Sequence, residues 1–491
     1  MAPRDAGARS WDRLSGRGRA LFTLLAGVVL LPCFWQSRIQ ASDLSSHIYN
    51  AWLAQLIESG RLPGLSIAAQ TTNVLFDLLL AGLLRILGPD GAQRAAVALA
   101  VLVFASGAFA LVSAVSDRRP WHVAPCLTVL AYGWIFHMGF FNFYLALGLC
   151  FWALAVGWHL HPRRLALSAA ILLLAYTAHA LPVAWTAGIF AYIALARKLS
   201  PGMRIRLLAV ALALLAAAQF PLHRLFAVEW SRNQLSLAAG VDQAWVFDRK
   251  YSFLASALAI VWGWQFLDLV RSRGARHLVS AVPFQINLLT VASAFLIPNT
   301  ILIPGYSLAL SFIAGRMSLA AGVSLCAVLG TARPRPAQSF GCLAIALLFF
   351  AFLFHDERAL NRLEDRIDSL AAQLPSGSRV VAPISDPSHR VNSLVHMIDR
   401  ACLGRCFSYA NYEASTTQFR VRAAPGNPYV AAAYGDSWDL QNGQYVVLPG
   451  DPPLLCIALD PAGRFTVEEL KTGARCEAIF WNVFENRPAT P

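Results

Sequence analysis

Eleven apolar runs in this chain are each long enough, or nearly so, to cross a bilayer as a helix, at about 20–37, 95–115, 123–137, 140–159, 164–180, 183–197, 206–222, 252–270, 278–297, 316–331 and 338–354. Of the 491 residues 57% are hydrophobic and 14% charged, which lies outside the range of soluble globular domains. The expected fold class is a polytopic α-helical membrane protein of about 11 transmembrane helices. Its net charge of +13 sits mostly on arginines scattered in short loops, with no interleaved aromatic surface. Such charges set topology and do not read as a nucleic-acid footprint, so the expected surroundings are membrane lipids and no nucleic acid.

A twelfth stretch, 73–88, decides the topology. If it does not cross, the loops around Asp117-Arg118-Arg119, Arg163-Arg164, Arg197 to Arg206, Arg271 to Arg276 and Arg333 to Arg335 all fall on the side of the N-terminus, as the positive-inside rule requires. Residues 73–88 are therefore expected to form a helix along the outer face, where Asp77 and Arg85 suit an interfacial position. That count places 38–94, 223–251, 298–315 and everything after His355 outside. Arg4, Arg9, Arg13, Arg17 and Arg19 precede the first run, which is read as an uncleaved span and not as a signal peptide cut near Gln40-Ala41-Ser42. The Arg-rich, Ala-rich composition suggests a bacterial inner membrane, with the outside being periplasm.

Composition shifts sharply at His355-Asp356-Glu357-Arg358. Residues 1–355 are expected to form the transmembrane domain, with outer loop 38–94 carrying two surface helices, and 356–491 a small extracytoplasmic α/β domain. Cys33, Cys126, Cys150, Cys326 and Cys342 fall in or beside apolar runs, whereas Cys402, Cys406, Cys456 and Cys476 lie in the polar C-terminal part. An even number there fits disulfides of open connectivity, with a zinc site using His389 and His396 as the rival. The Pro-broken segment 298–315 is either a re-entrant loop shaping a lipid entrance or a plain connection.

Candidate chemistry concentrates at the outer ends of the runs. Asp43 follows the first run closely, and His47 shares a helix face with it if the helix begins there, although Ser42 or Asp43 is equally a helix N-cap. Asp77, His137, Asn142, His179, Arg224 and Arg316 complete a polar set opening outward, with Arg316 and Arg224 suited to pairing with phosphate oxygens and an Arg snorkelling to headgroups as the plain alternative. In the C-terminal part, Asp386 to Arg390, His396, Asp399-Arg400 and Phe407 to Glu413 are dense in side chains that bind sugars or phosphates, and form either a disulfide-clamped loop over the membrane site or a locally stapled fold with no ligand. No Ser-His-Asp order, Gly-rich nucleotide loop or metalloprotease helix is present, which argues against hydrolase and ATPase activities.

The stretch from Asp43 through the helix to Glu58, Gly60 to Pro63, the second amphipathic helix ending at Leu87-Gly88, and Arg94 before the next span resembles the first outer loop of GT-C glycosyltransferases. That class includes protein O-mannosyltransferases and aminoarabinose transferases. The resemblance implies a polyprenyl-phosphate-linked sugar as donor, Asp43 as catalytic base or metal-binding acid, and a GT-C-like transmembrane domain. Two departures stand out. Leu44 occupies the place of a second acid, which leaves open whether a divalent cation takes part. Thr72 to Asp77 replace the usual Pro-Pro-Leu entry, which leaves the acceptor unidentified. The alternatives are a transporter or flippase of a lipid-linked substrate and an inactive envelope scaffold.

Overall fold

The computed structural model describes residues 16–489 except Asn233. The basic stretch with Arg4, Arg9 and Arg13 lies outside the described residues, as do the side chains of Arg17 and Arg19. Among the described residues five helices are long and apolar enough to cross a membrane: Leu75–Ser116, Pro201–Leu225, Arg249–Arg273, Ile313–Gly330 and Pro336–Ala371. Four further apolar helices, Thr23–Cys33, Phe141–Gly157, Ala180–Ala196 and Val282–Leu296, are shorter.

The expectation of eleven spans is corrected by these helix lengths. A helix of 17 residues such as Phe141–Gly157 reaches only about 26 Å, short of a hydrocarbon core of about 30 Å. Run 123–137 is divided by Gly133 into the helices Ala124–Ala131 and Trp134–Met138. Apolar runs continue through caps and turns, so run length overstates helix length.

Residues 75–87 and 89–116 form two helical arms meeting at Gly88, whose backbone (φ 68°, ψ 178°) breaks the helix before Pro89. The first arm buries Phe76, Leu80, Ala81 and Leu84 and leaves Leu78, Ile86 and Leu87 exposed, a one-sided pattern. Its start lies beside Asn142, at the start of Phe141–Gly157, because the Phe76 amide donates to Asn142 Oδ1 at 2.8 Å.

The helices Leu75–Ser116, Phe141–Gly157, Ala180–Ala196 and Ile313–Gly330 begin near this end and run toward basic loops at the other. There Arg118 Nη2 donates to Gly330 O at 2.9 Å, Arg273 Nη2 donates to Thr331 O at 2.6 Å, and Arg197 lies 5.3 Å from the Trp158 ring centre.

The helix Pro336–Ala371 passes unbroken through the composition shift at residue 355. Beyond it, a four-stranded sheet runs in the order Phe407–Ser408, Arg379–Val381, Leu454–Leu459, Phe465–Leu470. The first three strands are parallel and the last is antiparallel. Disulfides join Cys402 to Cys406 and Cys456 to Cys476, which removes both thiols of the zinc alternative, and the other five cysteines are free and buried.

Segment 38–94 is stitched to this part: Leu65–Ile67 pairs antiparallel with Val421–Ala423. Within 298–315, Thr300–Leu302 pairs antiparallel with Ala227–Glu229, joining two segments expected on the outer face. One buried core runs from Leu44 and Ile48 through Ile367 to Met397 and Ile457.

Candidate active site

Asp43 stands at the N-cap position of the helix Leu44–Glu58, but its carboxylate makes no capping hydrogen bond. The N-cap reading thus describes its backbone and leaves its side chain available. The loop is held from the Trp134–Met138 turn: Ser42 N donates to His137 O at 2.8 Å and Asp43 N to Met138 O at 3.2 Å. Gly139 follows with φ 82°, and a Cβ there would come within 2.5 Å of Asp43 N. Only glycine accommodates both that conformation and that approach.

His47, one turn on, donates from Nδ1 to Asp77 Oδ1 at 2.7 Å, and Asn142 Nδ2 donates to Asp77 Oδ2 at 2.8 Å. The first arm therefore delivers Asp77 to the helix that Asp43 precedes, and the two segments lie at the same end of the molecule. Ser46 Oγ donates to Glu413 Oε1 at 2.9 Å, and that oxygen lies 4.0 Å from His47 Nδ1.

His396 closes the other side. Its Nε2 lies 3.8 Å from Asp43 Oδ1 and its Nδ1 donates to Asp399 Oδ2 at 3.2 Å. Ser408 Oγ donates to the second oxygen of Asp399, and the Ser408 amide donates to Tyr49 Oη at 2.9 Å. The Tyr412 ring packs on His396 with centroids 5.3 Å apart. Arg316 reaches in from the start of Ile313–Gly330, its Nη1 3.3 Å from His179 Nε2 and its guanidinium 4.2 Å from the Phe140 ring centre.

The Asp43 side chain keeps 20% of its surface exposed while that of His396 keeps 8%. Burial raises the Asp43 pKa, and the charges of His396, His47 and Arg316 oppose that rise. Burial disfavours the charge on His47, but Asp77 first, then Glu413 and Asp43, outweigh it and hold its pKa at about 10. Burial lifts Glu413 to about 7 against the pull of His47. For His396, burial opposes the charge and Asp399 overcomes it, so its pKa is raised. The result is an acid that is protonated more readily than an ordinary aspartate, inside a ring of fixed opposite charges.

The expected residues separate into three groups. Asp43, His47, Asp77, Asn142, His179 and Arg316 are brought together. His137 is fully buried and acts on the backbone: its Nδ1 donates to Gln40 O at 3.0 Å, and its carbonyl receives Ser42 N. Arg224 stands apart from these contacts; it is exposed on Gln219–Leu225 with its guanidinium 4.9 Å from the Phe220 ring centre. An Arg at a helix end has the length to settle on a neighbouring ring, and its position in the chain does not distinguish that from a site role.

Sequence groups His396, Asp399, Tyr412 and Glu413 in a polar loop that either covers the membrane site or binds nothing, and gives none of them a contact with Asp43. Their polar density was the only signal, because no spacing relates them to Asp43. Among the described residues no three His, Cys, Asp or Glu side chains converge as metal ligands. Comparison with protein-family models, curated proteins and solved structures finds no match to this chain.

Proposed function

We propose that this chain is a glycosyltransferase of the outer face of the bacterial inner membrane, with its C-terminal part in the periplasm. It takes a sugar from a polyprenyl-phosphate-linked donor and passes it to an acceptor hydroxyl. The observation that carries this reading is the uncapped, part-exposed Asp43 carboxylate held among His47, His396 and Arg316 at the end of the helices opposite the basic loops. Two disulfides in the C-terminal part support an oxidising compartment on that side.

The acceptor oxygen attacks the anomeric carbon and its proton passes to Asp43. The carbon–oxygen bond to the donor phosphate breaks, and its electron pair stays on the phosphate oxygen. The Arg316 guanidinium, backed by the Phe140 ring, faces the charge that builds there. A raised pKa suits Asp43 to this work, since a general base is most effective when its pKa lies near the working pH. A single displacement of this kind inverts the anomeric centre.

Lipid mass spectrometry of a deletion strain tests the proposal. The expected outcome is accumulation of a polyprenyl-phosphate sugar, cleared by the wild-type chain and not by Asp43→Asn at equal abundance. In a purified assay with that donor, Asp43→Asn is expected to lose roughly 10²–10⁴-fold in turnover. Unchanged lipids, or rescue by Asp43→Asn, would overturn the assignment, and donor trapped in the cytoplasmic leaflet would point to a flippase.

A further inference from the structure

At the end of the helices away from Asp43, basic side chains from two loops gather on the last carbonyls of Ile313–Gly330. His122 binds Leu329 O, Arg118 Nη2 donates to Gly330 O at 2.9 Å and to Ala332 O, and Arg273 Nη2 donates to Thr331 O at 2.6 Å. Arg333 is the next residue in the chain. One cation complements a helix C-terminus. Here three guanidinium groups share it.

No carboxylate answers these three. Among the described residues the acids at this end are Asp117 and Asp268. Asp268 accepts from Arg335 at 2.8 and 2.9 Å and lies 3.9 Å from Arg271, while Asp117 lies 3.9 Å from His159 and stabilises the charge of Arg197. Burial, and then the charges of Arg333 and Arg273, lower the pKa of Arg118, as expected of cations held close together. Arg273 and Arg333 are exposed and Arg118 is half-buried, so an anion in solution or in a headgroup layer can reach them. Several guanidinium forks around one point suit the oxygens of a phosphate.

An apolar groove begins beside this cluster. It lies between Thr23–Cys33, the arm 89–116 and Ala124–Ala131, and its walls include Val29, Leu102, Ala105, Phe109, Trp121 and Leu127. Trp121 closes its near end, stacked on Phe109 with ring centroids 4.7 Å apart, and stands three residues after Arg118. Pro120, between them, packs on the same helix end: a Cβ at Gly330 would meet it at 3.3 Å. From Phe109 to Leu102 the groove follows a membrane-length helix for about 10 Å. Its two hydroxyls are already used. Ser106 Oγ donates to Leu102 O and accepts from Trp152 Nε1 at 3.1 Å, and Thr128 Oγ1 donates to Pro125 O at 2.8 Å. What the groove offers a ligand is hydrocarbon contact.

We infer that this end of the molecule binds one anionic phospholipid, with its phosphate among Arg118, Arg273 and Arg333 and one acyl chain in the groove past Trp121. A free phosphate would use only the arginines, and a neutral lipid only the groove. The two side by side, joined by the short loop Arg118 to Trp121, fit a molecule that carries both parts. The inference stands apart from the transferase reading and from which side of the membrane this end faces.

Native mass spectrometry of the full chain tests this, after delipidation in detergent and exposure to an equimolar mixture of phosphatidylglycerol and phosphatidylcholine with the same acyl chains. The expected result is one retained phosphatidylglycerol, favoured roughly tenfold over phosphatidylcholine. Arg273→Gln/Arg333→Gln removes two exposed cations while Arg118 keeps its hold on the helix end, and is expected to bring the two lipids near parity. Arg163→Gln/Arg164→Gln removes the same charge from another loop at that end and is expected to keep the preference.

Ala105→Phe fills the groove and is expected to lower phosphatidylglycerol retention about tenfold. Inorganic phosphate, which has no chain, is expected not to displace the lipid. Equal retention of the two lipids by the wild-type chain, equal loss of preference in both arginine pairs, unchanged retention with Ala105→Phe, or displacement by inorganic phosphate would overturn the inference.

Discussion

His396 sits 3.8 Å from Asp43 and carries a charge that favours the ionised carboxylate. Taking that charge away raises the Asp43 pKa further above its ordinary value, because burial is then less opposed. In His396→Gln the acidic limb of the rate–pH profile is therefore expected to move to higher pH, measured as kcat/KM against pH. A limb that stays in place would show that His396 does not govern Asp43. His47 makes a stability prediction with the opposite sign. Its folded pKa of about 10 lies above the ordinary 6.5, so its charged form stabilises the fold fully below about 6.5, and that contribution is lost as pH rises through 10. The gap in thermal stability between wild type and His47→Gln is expected to shrink over that range. At this scale the sequence shows what local geometry controls: Asp43 and His47 are one helical turn apart. It does not show His396 or Glu413, whose approach depends on how the last third of the chain packs.

Gly139 shows how one element holds another. Its left-handed backbone and its contact with Asp43 N both exclude a side chain, so Gly139→Ala is expected to cost about 1–3 kcal/mol in unfolding free energy and to shift the acid. Activity falling further than the stability loss explains would mark displacement of Asp43, and unchanged activity would remove this loop from the site. Gly88 plays a different part, turning one apolar stretch into two arms. The placement of the five basic loops, with Asp77 and Arg85 in agreement, makes the first arm legible as a separate helix, whereas hydropathy alone merges it with the second. Arg85→Cys is expected to react with an impermeant maleimide added from the periplasmic side of spheroplasts, and labelling only after permeabilisation would reverse the proposed topology. The count of eleven spans failed because apolar composition marks what tolerates lipid, while turns such as those at Gly133 and Gly139 decide where a helix stops.

Arg400 ties the C-terminal part to the helices. Its guanidinium donates to Glu364 at 2.6 and 2.8 Å, to Gln93 Oε1 at 2.8 Å and to Ile39 O at 3.1 Å, in a buried setting. Removing one member of such a pair leaves the other charged and buried, so Arg400→Met is expected to lose about 3–5 kcal/mol, with part recovered in Arg400→Met/Glu364→Gln. Denaturant unfolding in detergent measures both, and equal stability of Arg400→Met and wild type would rule out the latch. The composition shift at residue 355 was visible in sequence, yet the helix Pro336–Ala371 carries straight through it, because a helix needs only a change of face from lipid to protein to leave the membrane unbroken. Asp43 and the His396 that faces it stand far apart in the order of synthesis. At about 5–20 residues per second, the ribosome reaches His396 some 20–70 s after it has reached Asp43. The polar cluster around Asp43 thus stays unfinished until the last fifth of the chain has been made and packed against it, so a chain caught before that point has no complete site.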